Sequence, residues 1–316
     1  MSILSRIWPS KWLGLLLLVF AIVGVSQIYF WLTDDFRISN INYRVPYSCR
    51  WDLPLLSDAE KEQMGSLLKQ RFVYLKKGGQ SYAFQSEDGA YVLKFFKYKG
   101  LKPNWIVQSL PAVYPITLLQ QRDVRVRKRR IAELYNAYLY AYKYNRVETG
   151  ILYMQLLPSE ENLPVLVVDK MGFEHHLNLG DYAFILQEKC YCLQNLFSDA
   201  MERHDLAGIL GATSKIFDMC LNEYSRGFYD SDKYLERNVG LAGERAVHFD
   251  AGHFEYDLSM RHPGVYEEYL LKVGNHFANW FSEHYPQSSS EIAAGLELQL
   301  SDRLGHPVHL GLDENS

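Results

Sequence analysis

The longest apolar block in the chain comes first. Trp12 to Leu32 reads WLGLLLLVFAIVGVSQIYFWL without a charge, and about 20 such residues suffice for a helix to cross a bilayer core. Arg6 and Lys11 precede it, and Asp34 and Asp35 follow it. This asymmetry predicts a single-pass anchor of bacterial inner-membrane type, N-in and C-out. A cleaved secretory signal is the alternative, because Gly24 and Ser26 stand at cleavage-like spacing after the Leu13 to Val25 core. The anchor is favoured: Ile28-Tyr-Phe-Trp-Leu32 carries the apolar stretch past that site and supplies interfacial aromatics.

Beyond the block the pattern changes repeatedly. Residues 34–55 alternate polar and aromatic positions around Pro46 and Pro54 and read as a juxtamembrane linker. Ser57 and Glu60 have the spacing of a capping box and predict a helix to about Leu68. Three strands are predicted from Phe72 to Lys97, broken at Gly78-Gly79 and at the hairpin pair Asp88-Gly89. In the third, Tyr91-Val-Leu-Lys-Phe-Phe96, Lys94 is the single charge in an apolar strand, an expensive placement without an anionic partner. Ile131, Leu134, Tyr135, Tyr138 and Tyr142 recur at helical steps. Strands at 152–156, 165–168 and 182–188 complete an antiparallel sheet of about five strands in a first lobe over 56–188.

From residue 189 the pattern is mainly helical, through 316. A helix runs from Leu193 to Tyr224, closed by Gly227; two short strands lie at Val239 to Leu241 and Ala246 to Asp250; residues 263–303 return to helix. The class expected is α+β in two lobes, a sheet-bearing one and a reduced helical one. There is no internal repeat.

Composition supports folding. Hydrophobic residues are 48% of the 316 and charged residues 22%, and 23 Tyr and 16 Phe need a packed interior. A net charge of -4 speaks against a surface tuned to nucleic acid. The local exception is Arg122-Asp-Val-Arg-Val-Arg-Lys-Arg-Arg130, six basic residues in nine, which reads as a solvated helix face or as a site for an anionic lipid, phosphate or nucleic acid. Cys49, Cys190, Cys192 and Cys220 are too few for a disulfide scaffold; Cys190 and Cys192 lack a second pair for zinc, so buried free thiols are expected there. His175-His176 reads as an exposed hairpin.

Four pieces then fall in one order. Gly78-Gly79-Gln80-Ser81 forms a small-residue turn between strands; Tyr91-Val-Leu-Lys94 follows; Glu133 lies early in the next helix; and two polar segments, Asp230 to Asn238 and Asp250-Ala-Gly252, come late. The order resembles the protein-kinase-like superfamily, in which a glycine-rich hairpin covers the phosphates and a strand lysine, paired to a helix glutamate, holds them. Tyr91-Val-Leu-Lys94 is similar to that family's Val-Ala-Ile-Lys, and Asp250-Ala-Gly252 to its metal-binding Asp-Phe-Gly. Phe184 to Glu188 resembles the strand entering the inter-lobe hinge, with Glu188 at the adenine edge.

The resemblance implies ATP and magnesium as cofactors. It assigns the phosphates to the glycine turn and Lys94, supported by Glu133, and the metal to Asn238 and Asp250. An Asp would orient the acceptor hydroxyl. Here the sequence departs from the family: no His-Arg-Asp is present, and the position five before Asn238 is Lys233, while Asp232 and Asp230 stand six and eight before it. Asp230 is the first choice, since it follows Gly227-Phe-Tyr as the family's Asp follows its own short apolar approach. No Ala-Pro-Glu element follows, and about 60 residues remain after Asp250-Ala-Gly252. That shortness favours a small-molecule, lipid-linked or atypical protein acceptor. The rival reading is a membrane-tethered pseudokinase that binds partners without turnover.

Overall fold

A computed structural model describes residues 4–232 and 235–311 of the chain. Helix α1 (Leu4–Thr33) contains a 21-residue stretch, Leu13–Thr33, of mean hydropathy 2.3, none of whose most apolar window is buried by the rest of the chain. It is long and apolar enough to cross a membrane.

Residues 34–55 do not form a free linker. They include α2 (Ile38–Ile41) and a 3-10 turn (Cys49–Trp51), and they bury Phe36, Ile41, Val45 and Trp51. Phe36 meets Tyr82 and Phe84 edge-on, and Trp51 does the same to Tyr135 at 5.1 Å while its indole N–H donates to Asn136. The aromatic residues between the prolines are there for packing, and they outweigh the local disfavour of regular structure.

Helix α3 (Asp58–Leu67) starts on the expected box: Ser57 Oγ accepts from the Glu60 amide at 3.3 Å and Glu60 returns a bond to the Ser57 amide at 2.9 Å. Strands β1 (Arg71–Lys77), β2 (Ser81–Ser86) and β3 (Tyr91–Phe96) form the meander, with Gly89 at φ +74 in the second turn. After α4 (Trp105–Ser109), the long helix α5 (Ile116–Tyr144) takes in the whole basic run and buries the Ile131, Leu134, Tyr135, Tyr138 and Tyr142 stripe against the sheet. The short α6 (Arg146–Thr149) leads to β4 (Ile151–Gln155), β5 (Pro164–Val168), β6 (Glu174–Asn178) and β7 (Phe184–Glu188).

The sheet is larger than the expected five strands and is not wholly antiparallel. Its seven strands run β4-β7-β3-β2-β1-β5-β6, and β1 pairs with β5 in parallel, Phe72 opposite Val167. The β5–β6 hairpin is an insertion between the neighbours β4 and β7 that crosses to the far edge. His175 and His176 lie in β6, the second strand of this hairpin, as expected; His176 is exposed and His175 contacts Asp169 at 2.9 Å.

The helical part begins after β8 (Tyr191–Cys192). One predicted helix is two, α7 (Leu193–Glu202) and α8 (Leu206–Arg226), because His204 turns at φ +56 and Asp205 caps α8 through the Gly208 amide. Gly227 ends α8 at φ +87 as expected. The remaining elements are β9 (Phe228–Asp230), α9 (Leu235–Asn238), β10 (Val239–Ala242), β11 (Arg245–His248), β12 (Phe254–Tyr256), α10 (Pro263–His284) and α11 (Ser289–Leu304). Helices α7, α8, α10 and α11 share one core, whereas Phe228, Ala251 and Phe254 join the core beneath α5, so the two parts are packed together. All four cysteines are free thiols; Cys190 and Cys192 are half-buried rather than fully buried, and burial pushes Cys190 up to about 11.

Strand β10 pairs with both β11 and β8, Gly240 facing Cys192. A Cβ on Gly240 would overlap the Tyr191 carbonyl, part of the backbone joining the two parts. Gly240→Ala is therefore expected to cost about 1–3 kcal/mol, seen as a lower midpoint in chemical denaturation.

Candidate functional site

Lys94 points inward. Its strand lies between β2 and β7, opposite Ala83 and Ile185, and the residue is 7% exposed. Its ammonium donates to the Phe249 carbonyl, next to Asp250, and lies 5.6 Å from the centre of the Phe249 ring. Burial pulls the lysine pKa down, and the Asp250 carboxylate is the first charge to oppose that pull.

Glu133 is not the partner of Lys94. It is 64% exposed, pairs with Arg129 at 3.4 Å, and lines the cavity described below beside Arg130 and Leu134. The buried stripe of α5 passes through Ile131, Leu134 and Tyr135, which puts Glu133 half a turn away. Among the sequence candidates, Asp250 is the carboxylate that stands near Lys94.

Two loops meet below the lysine. Asn238 ends α9, and its carbonyl accepts from the amides of Phe249 at 2.9 Å and Asp250 at 3.2 Å. Asp250 Oδ1 accepts from the buried Tyr138 hydroxyl at 3.2 Å. Asn238 is 7% exposed, and its side-chain amide makes no hydrogen bond among the described residues. Lys94, Asn238 and Asp250 thus converge.

Asp230, the first choice for the acceptor-orienting group, is enclosed rather than open to an acceptor. Its side chain is 2% exposed and faces the His248 ring, Oδ2 to Nε2 3.7 Å, while Nδ1 of the same ring meets Glu223 at 3.0 Å. Burial raises Asp230 and Glu223 alike; burial also opposes a charged His248, but Glu223, Asp230 and Asp250 outweigh it and raise the histidine. Asp232 lies nearer the surface at 23% exposure and pairs with His253 at 3.3 Å, one residue beyond Asp250-Ala-Gly252. The ribbon explains the exchange of roles: β9 pairs with β12, so Asp230 is fixed opposite Phe254 inside it, and the chain leaves the strand only afterwards. Lys233 lies outside the described residues.

The glycine turn packs on Gly252 and His253 through the Gln80 side chain. The Gly78 amide donates to the Ser81 carbonyl at 2.8 Å, and the amides of Gly79 and Gln80 make no hydrogen bond among the described residues. Gln80 Nε2 contacts His253 Nε2 at 3.2 Å, so Gln80, His253 and Asp232 form a chain from the turn to the loop after β9. A cavity of about 710 Å³ lies there, between Gln80, Lys97, Lys99, Arg130, Gly252 and His253. On the other side of Lys94 the space along Leu75, Ala83, Gln187, Glu188, Cys190 and Phe249 is only about 70 Å³, against roughly 300–1,000 Å³ for ligand pockets in general. Glu188 is at its rim, held by Arg245 of β11.

His248, Glu223, His253 and Tyr138 were not singled out in the sequence. Two carried a signal: Glu223 falls on the Ile216, Cys220 stripe of α8, and His248 sits in an apolar strand, so each is a polar residue at a buried position.

No family model matches the chain, and no curated protein matches it significantly. Similar solved structures are those of the bifunctional kinase-methyltransferase WbdD: one is 16% identical with a TM-score of 0.34, covering 72% of this chain and 43% of that one. A 2.2 Å structure of WbdD is 15% identical at a TM-score of 0.34 over 74% and 46%. The chain thus spans less than half the length of these proteins, and what the fold establishes is a mixed α/β molecule with a curled sheet, a helical part and one apolar N-terminal helix.

Proposed function

We propose that this chain is an atypical membrane-anchored phosphotransferase that moves a phosphoryl group from ATP to a small-molecule, lipid-linked or atypical protein acceptor. The supporting observation is the convergence of buried Lys94 with Asn238 and Asp250 through the Phe249 backbone, next to Gly252 and His253, on which the Gln80 side chain of the glycine turn packs. The Gly79 and Gln80 amides and Lys94 would position phosphates, Lys94 leaving the Phe249 carbonyl to do so. Magnesium, when bound, would offset phosphate charge. Asp250 and the Asn238 amide fit such an ion, which takes hard oxygen ligands and few protein groups; among the described residues no cluster of three or more His, Cys, Asp or Glu suits a protein-only metal cage. Asp232, paired with His253 of the cavity wall, would accept the hydroxyl proton, and Asp230 would hold the loop through His248.

The test is ATP binding and turnover by the full chain in detergent. Asp232→Asn is expected to retain magnesium-dependent ATP binding and to lose turnover by about 10²–10⁴-fold, with Asp230→Asn instead lowering stability. Equal turnover in Asp232→Asn and the parent would remove Asp232 from the role.

The second reading, a tethered pseudokinase scaffold, is favoured by the 70 Å³ of free space beside the hinge strand and by the Lys94 contact to its own backbone. Binding without turnover supports it, and no ATP binding removes both readings. Flanking charges favour an outward domain, whereas ATP use requires a cytosolic one; protease accessibility in sealed vesicles decides between them.

A further inference from the structure

The basic run of α5 adjoins a stretch that the described residues leave uncovered. Trp105 and Tyr114 are 76% and 81% exposed, and Ile106, Val113, Leu118 and Leu119 are each more than half exposed. An apolar surface of this kind beside dense positive charge marks an interaction site rather than ordinary solvent-facing helix. Along α5, Leu118, Arg122, Arg125 and Arg129 follow at steps of four, three and four, so apolar and cationic groups share one face, and all three arginines are exposed.

The same region is tied to the end of α1. Arg127 donates to the Gly100 carbonyl, Lys102 donates to the carbonyls of Ser39 at 2.6 Å and Asn42 at 2.9 Å, and Lys99 reaches Asp35 at 2.5 Å. The last turn of α1 is itself docked: Lys99 lies over the Phe30 ring at 4.6 Å, Arg37 over Tyr29 at 4.9 Å, and Lys170 donates to the Trp31 carbonyl at 3.2 Å. A bilayer holding α1 would therefore lie against a surface already studded with cations, which the Arg127 to Gly100 contact joins to α5.

We propose that the segment from Trp105 to Leu119, with the arginine face of α5, makes a second and peripheral contact with the same bilayer. Its apolar side chains enter the interface and Arg122, Arg125 and Arg129 meet anionic headgroups. This rests on α1 being a membrane anchor. A lipid surface accounts for both halves of the patch, whereas nucleic acid would satisfy the arginines and leave Leu118, Leu119 and Val113 in water.

The experiment compares amide exchange of the full chain in nanodiscs of phosphatidylcholine alone and with phosphatidylglycerol. Exchange across 105–121 is expected to slow about tenfold in the anionic discs, and Arg122→Ser with Arg125→Ser is expected to abolish the difference while the rest of the domain exchanges as before. Incorporation with the same exchange in both discs overturns the proposal and leaves the anchor standing. Failure to enter discs overturns both. Protection of 105–121 by a polynucleotide in detergent, with none from lipid, overturns it in favour of nucleic acid.

Discussion

Asp250→Asn is expected to lower magnesium-dependent phosphoryl transfer by about 10³-fold, roughly 4 kcal/mol of transition-state stabilisation, with little change in folding. The substitution is nearly isosteric. The Tyr138 hydroxyl can still donate to the remaining side-chain oxygen, and the residue 250 amide still donates to the Asn238 carbonyl, so the bonds that hold the loop survive. What is lost is the charge, and with it a hard anionic ligand for magnesium. A second consequence follows for Lys94. Burial lowers its pKa and Asp250 opposes that, so removing the carboxylate lets the lysine lose its proton at lower pH. The alkaline limb of any residual activity should then move to lower pH, which a merely structural role for Asp250 would not produce. Turnover and its pH profile, measured beside ATP binding without magnesium, check both parts. Parental turnover in the variant would end the phosphotransferase reading built on this loop.

The features legible in the sequence were local ones. The Ser57 box, the Gly227 stop and the β1–β3 meander depend on neighbours in the chain, and each was read close to where it stands. Lys94 was legible for an energetic reason, since one charge in an apolar strand must be accounted for. Glu133 was misread although the pattern held the answer: the stripe through Ile131, Leu134 and Tyr138 defines the buried face, and residue 133 is opposite it. Other features had no local signature. Asp230 and Asp232 have the same strand parity, so only the pairing of β9 with β12 separates a buried carboxylate from a partly exposed one paired with His253. The parallel β1–β5 pair joins residues about a hundred positions apart, and nothing in either strand names its partner. Prolines made residues 34–55 look unstructured, whereas Phe36, Ile41 and Trp51 are held by partners far along the chain.

His248→Leu is expected to destabilise the domain by about 3–5 kcal/mol, the usual cost of removing one member of a buried charged group. The ring stands between Glu223 and Asp230, all three side chains being 1–2% exposed, and leucine would leave two carboxylates in that space with no cation between them. The pH dependence distinguishes this from lost packing. The three groups have pKa values raised above their ordinary 3.8, 4.5 and 6.5. The folded state therefore holds protons that the unfolded chain releases. Their contribution to stability is complete below those ordinary values and declines as the pH climbs through the raised ones. In the leucine variant the carboxylates must stay protonated or be buried charged, so its deficit should be greatest between the ordinary carboxylate range and the histidine's raised pKa, where the parent ring is still a cation, and should narrow on either side. Glu223→Gln added to His248→Leu relieves one of the buried charges and should recover part of the loss, a coupling that independent sites would not show. Urea denaturation across pH measures all of this. A deficit that stays constant from acid to alkaline pH would mean that the ring contributes shape alone, and that neither carboxylate depends on it.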